Sequence, residues 1–482
     1  MNIEKTYREN YKKWYSKEHI FEKKNGVYQS VTYGEFIDTA CGMVGYLISQ
    51  SLKNKKIMLY GDNSCDLMLA DFAILNYVGV SVWVSNQWQE KELIYAIRTL
   101  GIECLIYGDE KQEIIENISK QFPNLMTLRA YDIKNNADKT EFDSNLSLTD
   151  ENECCKIVFS SGTTAAPKAI MLSKKNIFSG VESLYKRCPF NEKDTDYLFL
   201  PLSHTYGNIY NFLYSFVFGF SVYLCTDISV ISQEILEVNP TIFSGVPAVY
   251  RRFYEGYGTH IGRAFGSRIK YLFCGGAKFD TDIIKAYKDS GLNFMNAYAL
   301  SETASTFAIQ YPDDMDIECA GTISEQIQVK VIDADKDGIG EIAVKGDNVF
   351  LGYANDEVLT KNSFTADGYF RTNDIGYLKA DEKNGEYKLY ITGRKGSIII
   401  AENGENIEPK HIEQKVCEKN ENISKAVLYI HEGQVACRVY LKQFQEYNWQ
   451  QFFKEINSEL LKYERIKHFE IKMENEDSSW KE

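Results

Sequence analysis

The chain has 482 residues, 44% of them hydrophobic and 25% charged, a length beyond one ordinary core and a composition close to that of soluble globular proteins. Lys and Arg number 54 against 68 Asp and Glu, a formal charge of −14 with no long block of one sign, which argues against nucleic acid as a partner. Eleven cysteines without CxxC spacing and six scattered histidines point to free thiols in a reducing, cytoplasmic setting and speak against a structural metal. Met1 to Tyr15 lacks the apolar stretch of a secretory signal, and no apolar run reaches the roughly eighteen residues of a membrane span. Repeats and low-complexity tracts are absent from the sequence, so solenoids are set aside.

In chain order, Lys56 to Tyr107 reads strand, helix, strand, helix, strand: KIMLY, SCDLMLADFAILNY, VSVWV, KELIYAIRTL and ECLIY. Apolar runs of strand length separated by helix-length segments predict βαβ units in a parallel sheet. Thr241 to Tyr298 repeats the alternation with TIFSG, PAVYRRFYEGY, IKYLFC, TDIIKAYKDS and LNFMNAY, so a second related sheet is expected. After Cys319 the texture becomes short and β-rich, as in IQVKVIDA and GEIAVKG, and Asn384-Gly385 carries the signal of a two-residue hairpin. Beyond Gly393 a fresh unit begins with the strand SIIIA, a helix from Pro409 to Glu418, and the strands AVLYI and VACRVYL. The expected fold is α/β: a large N-terminal domain of βαβ subdomains with a small β-rich subdomain, residues 1–393, and a small mobile α+β C-terminal domain, 394–482.

Residues 160–168 read Ser-Ser-Gly-Thr-Thr-Ala-Ala-Pro-Lys between the strands KIVF and AIMLS. Hydroxyls, a glycine and a terminal lysine on such a loop can wrap a polyphosphate with O–H and N–H donors and one cation. An ordinary Ser/Thr turn has the same composition. A P-loop needs GxxxxGK followed by Ser or Thr, whereas Pro167 stands at its second glycine and Ala169 follows Lys168. The loop instead resembles the SGTTGxPKG signature of the adenylate-forming superfamily of acyl-CoA synthetases, peptide-synthetase adenylation domains and luciferase. Further family motifs follow in order over nearly the whole chain.

Pro201 to Gly207 looks like the PLxHxxG segment, which implies that His204 lies at the acyl pocket and thiol tunnel. Cys274-Gly275-Gly276-Ala277 resembles the GGA turn that lets adenine approach the backbone. Asn296-Ala297-Tyr298-Ala299-Leu300-Ser301-Glu302-Thr303 is similar to YGxTE: Tyr298 can stack on adenine, while Ser301 and Glu302 offer a hydroxyl and a hard carboxylate oxygen for Mg²⁺. Thr372-Asn373-Asp374 resembles TGD, whose carboxylate accepts both ribose hydroxyls. Gly393-Arg394 and Gly404 to Pro409 resemble the hinge and first loop of the family's mobile domain, with Arg394 reaching the nucleotide and Ser397 where a hinge Asp or Lys is usual. Lys481 corresponds to the family's late lysine, beside the α-phosphate during attack.

The resemblance therefore implies a magnesium-dependent, AMP-forming acid–thiol ligase in the style of fatty-acyl-CoA ligases. Its catalytic set would be Lys481, Glu302, Thr163 and His204, with Glu302 holding Mg²⁺. Ser160, Ser161, Gly162, Thr163, Thr164 and Lys168 would bind the phosphates of ATP. Gly275, Gly276, Ala277, Asn296, Ala297, Tyr298, Ser301, Asp374 and Arg394 would bind the rest of the nucleotide. The acyl group would pass from its adenylate to coenzyme A or to the phosphopantetheine of a carrier protein. Peptide-synthetase domains hold an α-ammonium with an Asp just past the His segment, and His204 to Ser215 contains none, which favours a fatty or aryl acid. Ala165, Ala169, Ala299 and Asn373 replace family glycines, and Asn tolerates a positive φ. An amino-acid-activating enzyme, a non-catalytic nucleotide-binding protein of this fold, a luciferase-type oxygenase and a P-loop phosphotransferase are the alternatives.

Overall fold

The computed structural model describes residues 2–138, 149–160, 167–276, 279–304, 306–336, 338–381, 385–395, 399–400, 406–407, 409–443 and 447–473. Among them the strands form two large sheets and two small ones. One large sheet runs in the order Gly352–Tyr353, Lys168–Ser173, Cys154–Ser160, Val80–Trp83, Lys56–Tyr60, Cys104–Tyr107, Met126–Arg129. From Cys154–Ser160 onward its neighbours are parallel, whereas Lys168–Ser173 is antiparallel to both of its neighbours.

The other large sheet has a parallel half and an antiparallel half. Glu18–Lys24, Ser221–Leu224, Thr195–Leu198, Ile242–Gly245, Tyr271–Cys274 and Phe294–Tyr298 run parallel, with Val27–Thr32 antiparallel at the edge. The antiparallel half continues through Ala308–Ile309, Gly321–Ile323, Tyr387–Arg394, Phe370–Ala380, Gly340–Lys345 and Gln328–Ile332. Both βαβ regions read from the sequence therefore form parallel sheet. Their apolar runs are buried on both faces, as parallel strands covered by helices must be.

Local chemistry sets the helix ends. Ser64 accepts the Leu67 N–H ahead of Cys65–Ala73, Thr32 and Glu35 form a capping box ahead of Tyr33–Ser49, and Pro247 opens Pro247–Tyr257, where its missing N–H costs nothing. The helix expected over Ser64 to Tyr77 turns into a π-helix at Ile74–Val78. There the Asn76 amide donates to the Phe72 carbonyl four residues back and competes with the regular ladder.

The hairpin around Asn384-Gly385 also differs from the two-residue expectation. The Asp381 N–H donates to the Glu386 carbonyl and the Gly385 N–H to the Asp381 carbonyl, so the connection is longer, with Gly385 at φ 75°. Beyond Arg394, the helix Pro409–Glu418 has the expected bounds. The strands Ile423–His431, Gln434–Leu441 and His468–Met473 form a separate sheet. The apolar core beneath that sheet, built around Ile412, Val439 and Phe453, draws on residues from 399 onward alone.

Candidate active site

The strand Cys154–Ser160 ends where the strand Lys168–Ser173 begins, with Ser160 and Lys168 paired in register, so residues 161–167 connect two adjacent antiparallel strands. Ser161, Gly162, Thr163 and Thr164 lie outside the described residues. Lys168 projects its ammonium over the ring of Tyr353, 5.6 Å from the centroid. The Tyr353 hydroxyl in turn donates to Glu302 Oε1 at 2.9 Å. Tyr353 is in place because Gly352–Tyr353 pairs with Ile170 and Met171 on the strand that Lys168 opens. Burial, then the Glu302 carboxylate, raises the Tyr353 hydroxyl well above its ordinary pKa, so it stays a donor at neutral pH. Among the described residues one oxygen of Glu302 is engaged in this way, and a carboxylate oxygen at this position fits the hard-donor preference of Mg²⁺.

A second group forms around Asp374. The residue is 4% exposed; its carboxylate accepts from the Tyr298 hydroxyl and faces Arg394 Nε at 3.4 Å. Asp374 and Arg394 are cross-strand partners in the hairpin of Phe370–Ala380 and Tyr387–Arg394. Burial raises the Asp374 carboxyl, Arg394 and the Tyr298 hydroxyl pull it down, and Glu302 and Glu341 push it up again. Asn373 has φ 59°, the left-handed conformation that a glycine or asparagine takes at small cost. The Lys395 N–H donates to the Asn373 carbonyl at 2.6 Å, closing the hairpin next to the expected hinge.

Tyr298 ends the strand Phe294–Tyr298, and the short helical turn Ser301–Thr303 follows. That turn carries Ser301 and Glu302 between the two groups. The Asn296 side chain donates to the Cys319 carbonyl at 3.0 Å and Ala297 pairs with Ile309, so both hold the parallel and antiparallel halves of the sheet together. Gly275 follows the neighbouring strand, where an added Cβ would lie 3.0 Å from the Ala297 carbonyl and 3.4 Å from the Tyr206 ring. Gly276 has φ 89°; Ala277 lies outside the described residues, as do Ser397 and Lys481.

His204 sits in the turn before the π-helix Tyr206–Leu213, its N–H donating to the Pro201 carbonyl at 3.1 Å. This turn is tied to the strand Cys154–Ser160 by a buried network. Lys156 Nζ is 2.8 Å from both oxygens of Asp71. The Asn208 amide donates to Asp71 Oδ2 at 2.8 Å and to the Leu202 carbonyl at 3.1 Å. Each charge is satisfied several times over, as a buried pair requires.

Tyr353, Lys156 and Asp71 were not singled out from the sequence. A lysine within the apolar run CCKIVF was the available signal for the pair. Tyr353, in FLGYAND, gave none on chemistry alone.

Two large sheets meeting at a lysine-tipped strand pair, a tyrosine-bound carboxylate and a glycine turn make up the arrangement of an α/β nucleotide-binding protein. The chain belongs to the AMP-binding enzymes, whose family model matches residues 7–354. It is similar to a long-chain-fatty-acid–CoA ligase of Xenopus laevis, 25% identical over 444 residues, which cover 77% of this chain and 59% of that relative. It thus spans about three fifths of that relative's length. A 2-succinylbenzoate–CoA ligase of Enterococcus faecalis is 25% identical over 371 residues, 75% of this chain and 73% of that one. In fold it is similar to an o-succinylbenzoate CoA synthetase of Bacillus subtilis, solved with a product analogue, with TM-score 0.79, 21% identity and coverage of 97% and 94%. No described helix is long and apolar enough to cross a membrane.

Proposed function

We propose that the chain is an AMP-forming acid–thiol ligase. A carboxylic acid would attack the α-phosphate of ATP, pyrophosphate would leave, and a thiol would then displace AMP from the acyl-adenylate. The observation that carries this reading is the set Lys168–Tyr353–Glu302 and Tyr298–Asp374–Arg394, two cations, two tyrosines and two carboxylates assembled from separate segments of the chain.

In this reading Asp374 accepts the ribose hydroxyls, Tyr298 flanks the adenine, and Gly275 leaves room for the base to lie close to the backbone. Lys168 and the loop from Ser160 hold the β and γ phosphates. Mg²⁺ on Glu302 would offset charge on the phosphates. Lys481 would neutralise charge at the α-phosphorus as the carboxylate attacks. Residues 394–482 would form the moving domain that brings it in, consistent with a core drawn from residues 399 onward. The thiol would be coenzyme A or a carrier-protein phosphopantetheine, and the acid fatty or aryl.

Acid-dependent exchange of pyrophosphate into ATP, screened over fatty, aryl and amino acids, tests the reading. Exchange with at least one acid is expected, and Lys481→Ala should lower it by roughly 100-fold or more. Nucleotide binding without exchange for any acid, or release of ADP instead of AMP, would overturn it.

A further inference from the structure

Beside the nucleotide groups lies a second buried feature. The strand Thr195–Leu198, the π-helix Tyr206–Leu213 and the strands ending at Gly245, Cys274 and Tyr298 enclose an aromatic slot lined by Tyr206, Tyr210 and Phe273. It holds about 20 Å³ in this conformation, room for roughly one water. Asp196 and Asn211 line it as well, at 0% and 1% exposure. Ala297 and Thr306 line it too, and Ala297 is the chain neighbour of Tyr298. The π-helix accounts for the shared face, because its repeat of more than four residues per turn brings Tyr206, Tyr210 and Asn211 to the same side.

The two polar side chains are incompletely satisfied. The Asn211 amide donates to Asp196 Oδ2 at 2.6 Å, while Asp196 Oδ1 and Asn211 Oδ1 have no partner. Both acceptors belong to residues lining a chamber of aromatic and aliphatic side chains in which Ser244 and Thr306 are the other non-aromatic polar residues, and buried acceptors of this kind require a donor. Burial pushes the Asp196 carboxyl up to about 7, against the pull of Asn211 and the Tyr197 amide.

Resting on the ligase reading above, we infer that the slot receives the far end of the acid, and that this end carries a hydrogen-bond donor, a hydroxyl or an amine, which docks on Asp196 and Asn211. The substrate class is then a short, flat acid with a polar tip. A saturated alkyl tail would leave both oxygens buried and unpaired. Sites with such groups reject the analogue lacking the donor by factors of roughly 10⁴, far more than a methylene pocket achieves. Asp196 is a specificity-determining residue here and touches no reacting atom.

Pyrophosphate exchange with matched aryl acids, bearing a distal hydroxyl, amino, methyl or hydrogen, tests the inference in the full-length enzyme. The wild type should favour the hydroxyl or amino acid by roughly 100-fold or more in kcat/KM over the methyl and hydrogen analogues. Asp196→Leu should reverse that order. Asp196→Asn separates the two donors, keeping the hydroxy acid and losing the amino acid, and it decides the matter if the leucine variant does not fold. Equal use of all four acids, or an unchanged order in Asp196→Asn and Asp196→Leu, would mean that a resident water satisfies the two oxygens, and the inference falls. A preference for the methyl acid or for long-chain acids overturns the inference and leaves the ligase reading standing. No exchange with any acid overturns both.

Discussion

The N-terminal part of the chain buries the carboxylates of Asp374 and Asp196 and treats the two differently. Asp374 receives the Tyr298 hydroxyl and faces the Arg394 guanidinium, so its charge is offset even though burial raises its pKa. Asp196 has the Asn211 side-chain amide on Oδ2 and its pKa is pulled down by the Tyr197 backbone amide, with no charged group among the described residues acting on it, and Oδ1 accepts no hydrogen bond of good geometry. A carboxylate with neighbouring donors and a cation is prepared to stay ionised and to bind through charge. One without them keeps its proton more readily, and its ionised form is the one that calls for a donor from the ligand. In the proposed ligase the nucleotide end would thus be complete within the chain, and the acid end would be completed by the substrate.

The largest expected effect of this contrast is on stability. With Asp196 pushed up to about 7 in the folded protein against about 3.9 in an unfolded chain, the folded state holds a proton that the unfolded state has lost between about pH 4 and pH 7. Stability should therefore fall as pH rises through that window, by about 4 kcal/mol, and level off above it. Asp196→Asn, uncharged at every pH, should lack this component. Urea unfolding of both proteins at several pH values reads the difference. Parallel curves would show that Asp196 is ionised throughout, and the contrast with Asp374 would be lost.

Next comes Asp374→Ala, which removes the acceptor of the Tyr298 hydroxyl and the partner of Arg394 in one step. A loss of roughly 100-fold in kcat/KM for ATP, about 3 kcal/mol of binding in the transition state, is expected. Thermal unfolding of the same sample separates that loss from misfolding. A change below about 5-fold would remove Asp374 from the nucleotide site.

The two ends were also unequally legible in the sequence. Tyr298, Glu302, Asp374 and Arg394 stand in short motifs that resemble those of the adenylate-forming superfamily, and the structure brings them together from three strands and the turn Ser301–Thr303. Asn373 for glycine was readable as well, since asparagine reaches the φ of 59° found there. Asp196 was not, because an Asp in the run DTDYLFL has the look of a strand start on the surface, and its burial depends on the neighbouring strands from Ser221 and Ile242. The segment His204 to Ser215 holds no Asp; Asp196 meets Asn211 from the strand before that segment, a relation set by sheet order. The same holds for Lys156 and Asp71, 85 positions apart, and for the π-helices, whose wider repeat no apolar periodicity announces.

The smallest effect concerns Tyr353, which the sequence reading did not select. Its hydroxyl holds Glu302 at 2.9 Å while its ring underlies Lys168, so one side chain positions both the lysine and the carboxylate to which the proposed function gives the phosphates and Mg²⁺. Tyr353→Phe keeps the ring and deletes the hydrogen bond, worth about 1 kcal/mol, and should raise KM for ATP by roughly 5-fold. Tyr353→Leu also removes the aromatic face, and the lost cation–π contact should add a further factor of about 3. Steady-state exchange kinetics at saturating acid measure both. If the two variants match each other but not the wild type, the hydrogen bond alone positions Glu302 and the ring contact is incidental. If both match the wild type, Lys168 and Glu302 are held by the strands themselves, and the nucleotide end owes its completeness to backbone register instead of to side-chain pairing.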